Sequence, residues 1–183
     1  MKPYATWKLG DSVLELRPLR PGDEAPWLKM MQSLSWATRY KRGARQPADL
    51  TLEDARHAVG PEPETAVALA VVATRENETE MSGVCTATLL EPAVWEFALV
   101  VLDEWQRRGV GRRLMRAVID ELKHREAGMV AGDVLASNRN MLDFVARLGF
   151  EILPHEQAHL RRVQLALGPA GAPGGEAPRK GPN

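Results

Sequence analysis

Gln106-Arg107-Arg108-Gly109-Val110-Gly111 separates two segments of different periodicity. Upstream, Trp95-Glu96-Phe97-Ala98-Leu99-Val100-Val101 is apolar but for one acid and reads as a buried strand. Downstream, Leu114, Met115, Val118 and Leu122 recur at helical spacing. A strand, a tight glycine turn and a helix start gather backbone N–H groups in one place, and such a place receives phosphate. Arg107, Arg108, Arg112, Arg113 and Arg116 crowd the same turn. Two familiar phosphate loops drop out: no Gly-Lys-Ser/Thr is present, and a single Gly-x-Gly lacks the third glycine of a dinucleotide fold. The bland alternative is a plain strand-to-helix turn with a solvated arginine face.

Outward from the turn, Thr65–Thr74, Met81–Leu90 and a run ending at Val101 read as three antiparallel strands, with charged residues and Glu91-Pro92 between them. The helix after the turn runs to about Arg125, and Met129–Ala136 reads as the next strand. A strand–helix–strand unit of that length implies parallel pairing and a right-handed crossover. Ser137 or Asn138 caps another helix with Met141, Val145 and Leu148 on one face, and Gly149 ends it. Phe150–Leu153 and Leu160–Leu167 read as closing strands. Toward the start, Val13–Leu16 reads as a first strand and Asp23–Leu34 as a helix. Trp36–Arg45 is a basic connection, and Thr51 caps a helix that ends by Gly60-Pro61. We expect one domain over residues 1–167 and a disordered Gly/Pro-rich tail over 168–183.

The chain has 183 residues, enough for one domain with a full core. Lys+Arg and Asp+Glu balance at 24 each, so no global charge argues for nucleic acid or an anionic membrane. Cys85 is the sole cysteine, which excludes an intrachain disulfide. No apolar leader and no membrane-length apolar run is present, and a cytoplasmic protein is expected.

The turn resembles the Q/R-x-x-G-x-G/A signature of the GNAT acetyltransferase superfamily. The likeness extends through Asn138 to Leu148-Gly149-Phe150, and the order of elements agrees over residues 11–167. More narrowly, the chain looks like the GNAT domain of bacterial protein lysine acetyltransferases. Leu16–Glu24, Leu34-Ser35 with Tyr40 and Arg42, Glu96–Val101 and Asn138–Leu142 carry that likeness. It implies an α/β fold: a mixed, mostly antiparallel sheet with a V-shaped splay and helices on both faces. It implies N-acetyl transfer from acetyl-CoA to a primary amine in a ternary complex, with a protein lysine as first choice. The alternatives are a small amine such as a polyamine or antibiotic, and a non-catalytic acyl-CoA-binding module. A monomer or homodimer is expected.

By the same resemblance, Gln106, Arg107, Arg108, Gly109, Val110, Gly111 and Arg112 would hold the pyrophosphate. Backbone at Leu99, Val100 and Val101 would bond the pantetheine arm, and one N–H would face the thioester oxygen, where attack builds negative charge. Asn138 would lie beside the pantetheine; as a residue it reads equally as a helix cap. Glu96, the only acid in its strand, is the candidate base; it reads equally as a surface or salt-bridged glutamate. Many relatives carry a tyrosine acid in the helix before Leu-Gly-Phe, and here Val145 stands in its place.

One rival motif is His155-Glu156-Gln157-Ala158-His159, an H-E-x-x-H pattern. Zinc chemistry needs it on a helix, but Pro154 precedes it and a strand begins at Leu160, so no metal is expected. Trp36, Arg39, Tyr40 and Arg42 line a substrate entrance in one reading; in the other, Trp36 staples the early helices. Asp23, Glu24, Glu53 and Asp54 would favour a polyamine if they converged.

Overall fold

The computed structural model describes residues 4–42, 49–60 and 62–168. All of the expected tail except Gly168 lies outside them, as do residues 43–45 of the basic connection.

Eight strands form one sheet in the order β1-β2-β3-β4-β5-β6-β8-β7. They are β1 (Ala5–Leu9), β2 (Ser12–Pro18), β3 (Ala66–Arg75), β4 (Glu78–Glu91), β5 (Val94–Val101), β6 (Met129–Leu135), β7 (Glu151–Pro154) and β8 (Leu160–Ala166). The helices are α1 (Glu24–Ser33), α2 (Trp36–Arg42), α3 (Leu52–Val59), α4 (Val110–His124) and α5 (Arg139–Ala146). Every pairing is antiparallel except β5–β6, the pair joined through α4. The expected mixed α/β fold is the observed one. No described helix is long and apolar enough to cross a membrane.

The parallel pair opens into a fork. Its register holds only at Val94↔Met129, Trp95↔Val130 and Glu96↔Ala131. Beyond Glu96, β5 stays with β4 while β6 runs on with β8. The next position on β6 is Gly132, where a Cβ would lie 2.9 Å from the Phe97 ring. The ring fills that space and meets Phe150 edge-on, centroids 5.5 Å apart. Gly149, at φ +92°, turns the chain so that Phe150 follows. The Leu-Gly-Phe ending therefore packs the base of the fork.

Alternation along β5 sends Ala98 and Val100 toward α1 and α3, and Leu99 and Val101 toward α4. On that second side Leu114, Met115, Val118 and Leu122 are fully buried, as their spacing predicts. The α1 side is anchored by a buried pair. Arg17 Nη1 and Nη2 donate to Asp23 Oδ2 and Oδ1 at 2.6 and 2.7 Å. Asp23 stands at the start of α1, and no side-chain cap bond forms there.

Three elements differ from expectation. β1 is an edge strand whose side chains alternate between half-buried and exposed, so its apolar signal is weak. Trp36–Arg42, expected as a connection, is helical, and Ser35 Oγ accepts the Thr38 N–H at its start. β4 begins at Glu78 rather than Met81, because Glu76 and Asn77 both adopt positive φ and make a two-residue hairpin.

Candidate functional site

The turn after β5 is shaped by backbone conformation. A single 3-10 turn (Asp103–Trp105) leads to Gln106; Arg107 then takes φ 57° and Gly109 φ 86°. A Cβ on Gly109 would meet nothing within 4 Å, so glycine answers the left-handed φ rather than a lack of space. The first helical bond of α4 runs from Arg113 N–H to the Gly109 carbonyl. The N–H groups of Val110, Gly111 and Arg112 precede it and have no helical acceptor, which makes a natural anion seat. The arginines do not all face it. Arg113 lies over the Trp7 ring at 4.4 Å, and Arg108 over Trp105 at 5.8 Å. Arg107 and Arg112 are exposed.

The open arm of the fork supplies a second set of donors. Leu102 N–H donates to Ser82 of β4 at 3.0 Å. Strand alternation then points Val100 N–H to β4 and those of Leu99 and Val101 into the gap. No β6 residue pairs with them there. The Val100 N–H is thus engaged with β4, and its side chain lines the other face. The Gln106 amide faces inward, donating to the Val101 carbonyl at 3.0 Å and to Thr38 Oγ1 at 3.2 Å. Its side chain binds the turn to the strand end.

On the α1–α3 face lies a cleft of about 240 Å³, bounded by Trp27, Met31 and His57 on the helices and by Thr86, Thr88 and Ala98 on the sheet. Glu96 pairs with Thr88 and alternates with Ala98, so it stands beside this cleft on the same face of the sheet. Its side chain is 47% exposed, and Arg162 Nη1 lies 4.0 Å from Oε1. Arg162 also pairs with Asp133 at 3.2 Å. Glu96 is neither buried nor isolated: it is a salt-bridged carboxylate beside the cleft.

A model of the Acetyltransferase (GNAT) family matches residues 28–150. The chain belongs to the GNAT acetyltransferase family. It is an acyl-CoA-dependent N-acetyltransferase with acetyl-CoA as co-substrate. Its fold is similar to that of the GNAT domain of PAT from Streptomyces lividans: TM-score 0.77, 21% identity, 89% of this chain and 96% of that one covered. It is also similar to spermidine N-acetyltransferase from Vibrio cholerae, solved with CoA and spermine: TM-score 0.67, 14% identity, covering 84% and 95%. A third likeness is to a putative acetyltransferase from Salmonella typhimurium, solved with its cofactor acetyl-CoA: TM-score 0.65, 17% identity, covering 88% and 98%. At these identities the likeness is one of fold.

In this GNAT chain Asn138 does cap α5: its Oδ1 accepts Met141 N–H at 3.3 Å. The side-chain nitrogen makes no bond among the described residues, so the cap leaves a donor free at the β6 arm. Val145 is fully buried and offers no proton. Two of the acids that a polyamine would need are engaged locally. Asp23 is held by Arg17, and Asp54 Oδ2 accepts the backbone and hydroxyl of Thr51 in a capping box. Residues 155–159 form a turn, with His155 Nδ1 accepting Gln157 N–H, and no cluster of metal-ligating side chains occurs among the described residues.

Sequence reasoning missed Asp103. Its carboxylate accepts Ser35 N–H, Ser35 Oγ and Thr38 Oγ1 at 3.0, 2.8 and 2.7 Å. Partial burial pushes this carboxyl up, but those hydrogen bonds outweigh it and hold it below the ordinary aspartate range. Burial likewise pushes Asp23 up, and the Arg17 and Arg20 hydrogen bonds bring it below that range.

Proposed function

We propose that this GNAT enzyme acetylates a primary amine, most favourably the side chain of a protein lysine, by direct transfer in a ternary complex. The observation that carries the reading is Glu96 next to Thr88 and Ala98 of a cleft that lies on one face of the sheet beside the fork. A slot lined by Ala98, Val100, Met31 and Trp27 suits the methylene chain of a lysine, and the carboxylate suits its ammonium. Acetyl-CoA brings the acetyl group as a thioester. The N–H groups of Val110, Gly111 and Arg112 would seat its pyrophosphate, with Arg107, Arg108 and Gly109 shaping and charging the turn. Leu99 and Val101 N–H would bond the pantetheine, and one of them would meet the charge that grows on the thioester oxygen. Asn138 would add its free amide N–H from the other arm. Glu96, directly or through water, would take the ammonium proton before the amine attacks. With Val145 at the tyrosine position, the departing thiolate draws its proton from elsewhere, a tolerable arrangement for a thiol of pKa about 8.5.

The engagement of Asp23 and Asp54 in local structure weighs against a polyamine acceptor. A cytoplasmic location and a monomeric or dimeric state belong to the same proposal, the former supported by the single cysteine. The test is mass spectrometry of lysine-bearing proteins, spermidine and aminoglycosides after incubation with enzyme and acetyl-CoA. Acetyl on lysine side chains supports the reading; acetyl on the small amines alone replaces it.

A further inference from the structure

The helix α2 has no core of its own. Among its described side chains none is buried, and Trp36 and Tyr40 are 65% and 58% exposed, stacked on one another with centroids 5.2 Å apart. A helix of 7 residues is too short to stand by itself in water. What ties it to the body is a polar joint. Asp103, in the 3-10 turn that leads into the coenzyme turn, takes two hydrogen bonds from Ser35 and one from Thr38. Ser35 in turn caps α2. Thr38 Oγ1 is donor to Asp103 and acceptor from Gln106, and the same Gln106 nitrogen grips the carbonyl of Val101. One hydroxyl thus connects α2, the turn and the open strand.

We propose that Thr38 and Asp103 are positioning residues that make the order of α2 depend on occupancy of the coenzyme turn. The proposal rests on the placement of the coenzyme at Gln106–Arg112. Phosphate seated on the turn fixes Gln106; Gln106 fixes Thr38; and α2 settles across the end of β5 beside the acceptor cleft. The acceptor side is then completed only after the coenzyme binds. By linkage, an acceptor that orders α2 tightens the coenzyme by the same factor. The joint sets position and takes no part in bond making.

Hydrogen exchange read by mass spectrometry, with and without CoA, tests this without any acceptor. In the wild type, segments spanning residues 35–41 and 103–113 both gain protection when CoA is added. Thr38→Val, which keeps the shape and removes the hydroxyl, retains the gain over 103–113 and loses it over 35–41. Thr38→Ser restores the response of α2. A Thr38→Val protein whose α2 responds like the wild type overturns the proposal. So does a wild type in which the turn responds and α2 does not. Absence of any response over 103–113 in the wild type removes the coenzyme placement itself, and the joint's role with it.

Discussion

On the α4 side of the fork, the groups proposed to face the coenzyme are backbone N–H donors set by Gly109, by the unpaired stretch of β5 and by the first turn of α4. On the α1–α3 side, the proposed acceptor cleft is made of side chains from distant segments, Trp27, His57 and Thr86, with Glu96 and Arg162 beyond them. Backbone donors tolerate wide change in side chains and recognise a ligand that never varies. Side chains from scattered elements can be exchanged one by one, and they suit the part of the reaction that differs among relatives.

The largest effect expected is on the acceptor side's scaffold. Asp23→Ala leaves Arg17 buried without its partner and should reduce stability by about 3–5 kcal/mol, read from urea unfolding. Both Asp23 and Asp103 are held below the ordinary aspartate value of about 3.9. Their contribution is therefore present above that value and is lost as pH falls through the depressed ones, so the wild type should lose stability on acidification more steeply than Asp23→Ala. Next, Glu96→Gln should lower turnover about 100-fold at neutral pH while acetyl-CoA affinity stays unchanged. Equal turnover removes Glu96 as the base. On the donor side, Gly109→Val forces a branched residue into left-handed backbone, and a strain of about 1–2 kcal/mol should weaken acetyl-CoA roughly tenfold. The smallest effect divides the two roles of Asn138. Asn138→Asp keeps the cap acceptor and loses the amide donor, so stability holds while acetyl-CoA binding weakens about threefold to tenfold. Unchanged binding makes the residue a cap alone.

The donor side was largely legible in the sequence. Glycines at fixed spacing, a continuous apolar strand and a four-residue apolar stripe on α4 each record a local constraint, and each is met where expected. The fork was read through resemblance, because its cause, Phe97 over Gly132, is a contact between strands. Gly132 within an apolar run does mark a close approach, a signal open to any reading. The acceptor side was mostly hidden. No described side chain of α2 is buried, so no periodicity announces it. The Asp103 joint spans 65 and 68 positions of sequence and consists of hydrogen bonds, which leave no hydrophobic pattern. The five arginines read as one cluster, yet two of them stack on Trp7 and Trp105.

Amide hydrogen exchange followed by NMR, residue by residue on adding acetyl-CoA, tests most directly whether the fork and its turn hold the coenzyme by backbone. Leu99, Val101, Val110, Gly111 and Arg112 should exchange fast alone and slow when acetyl-CoA is present, while Val100, already turned to β4, should be slow in both. Protection that appears elsewhere and leaves these five amides unchanged would contradict the account.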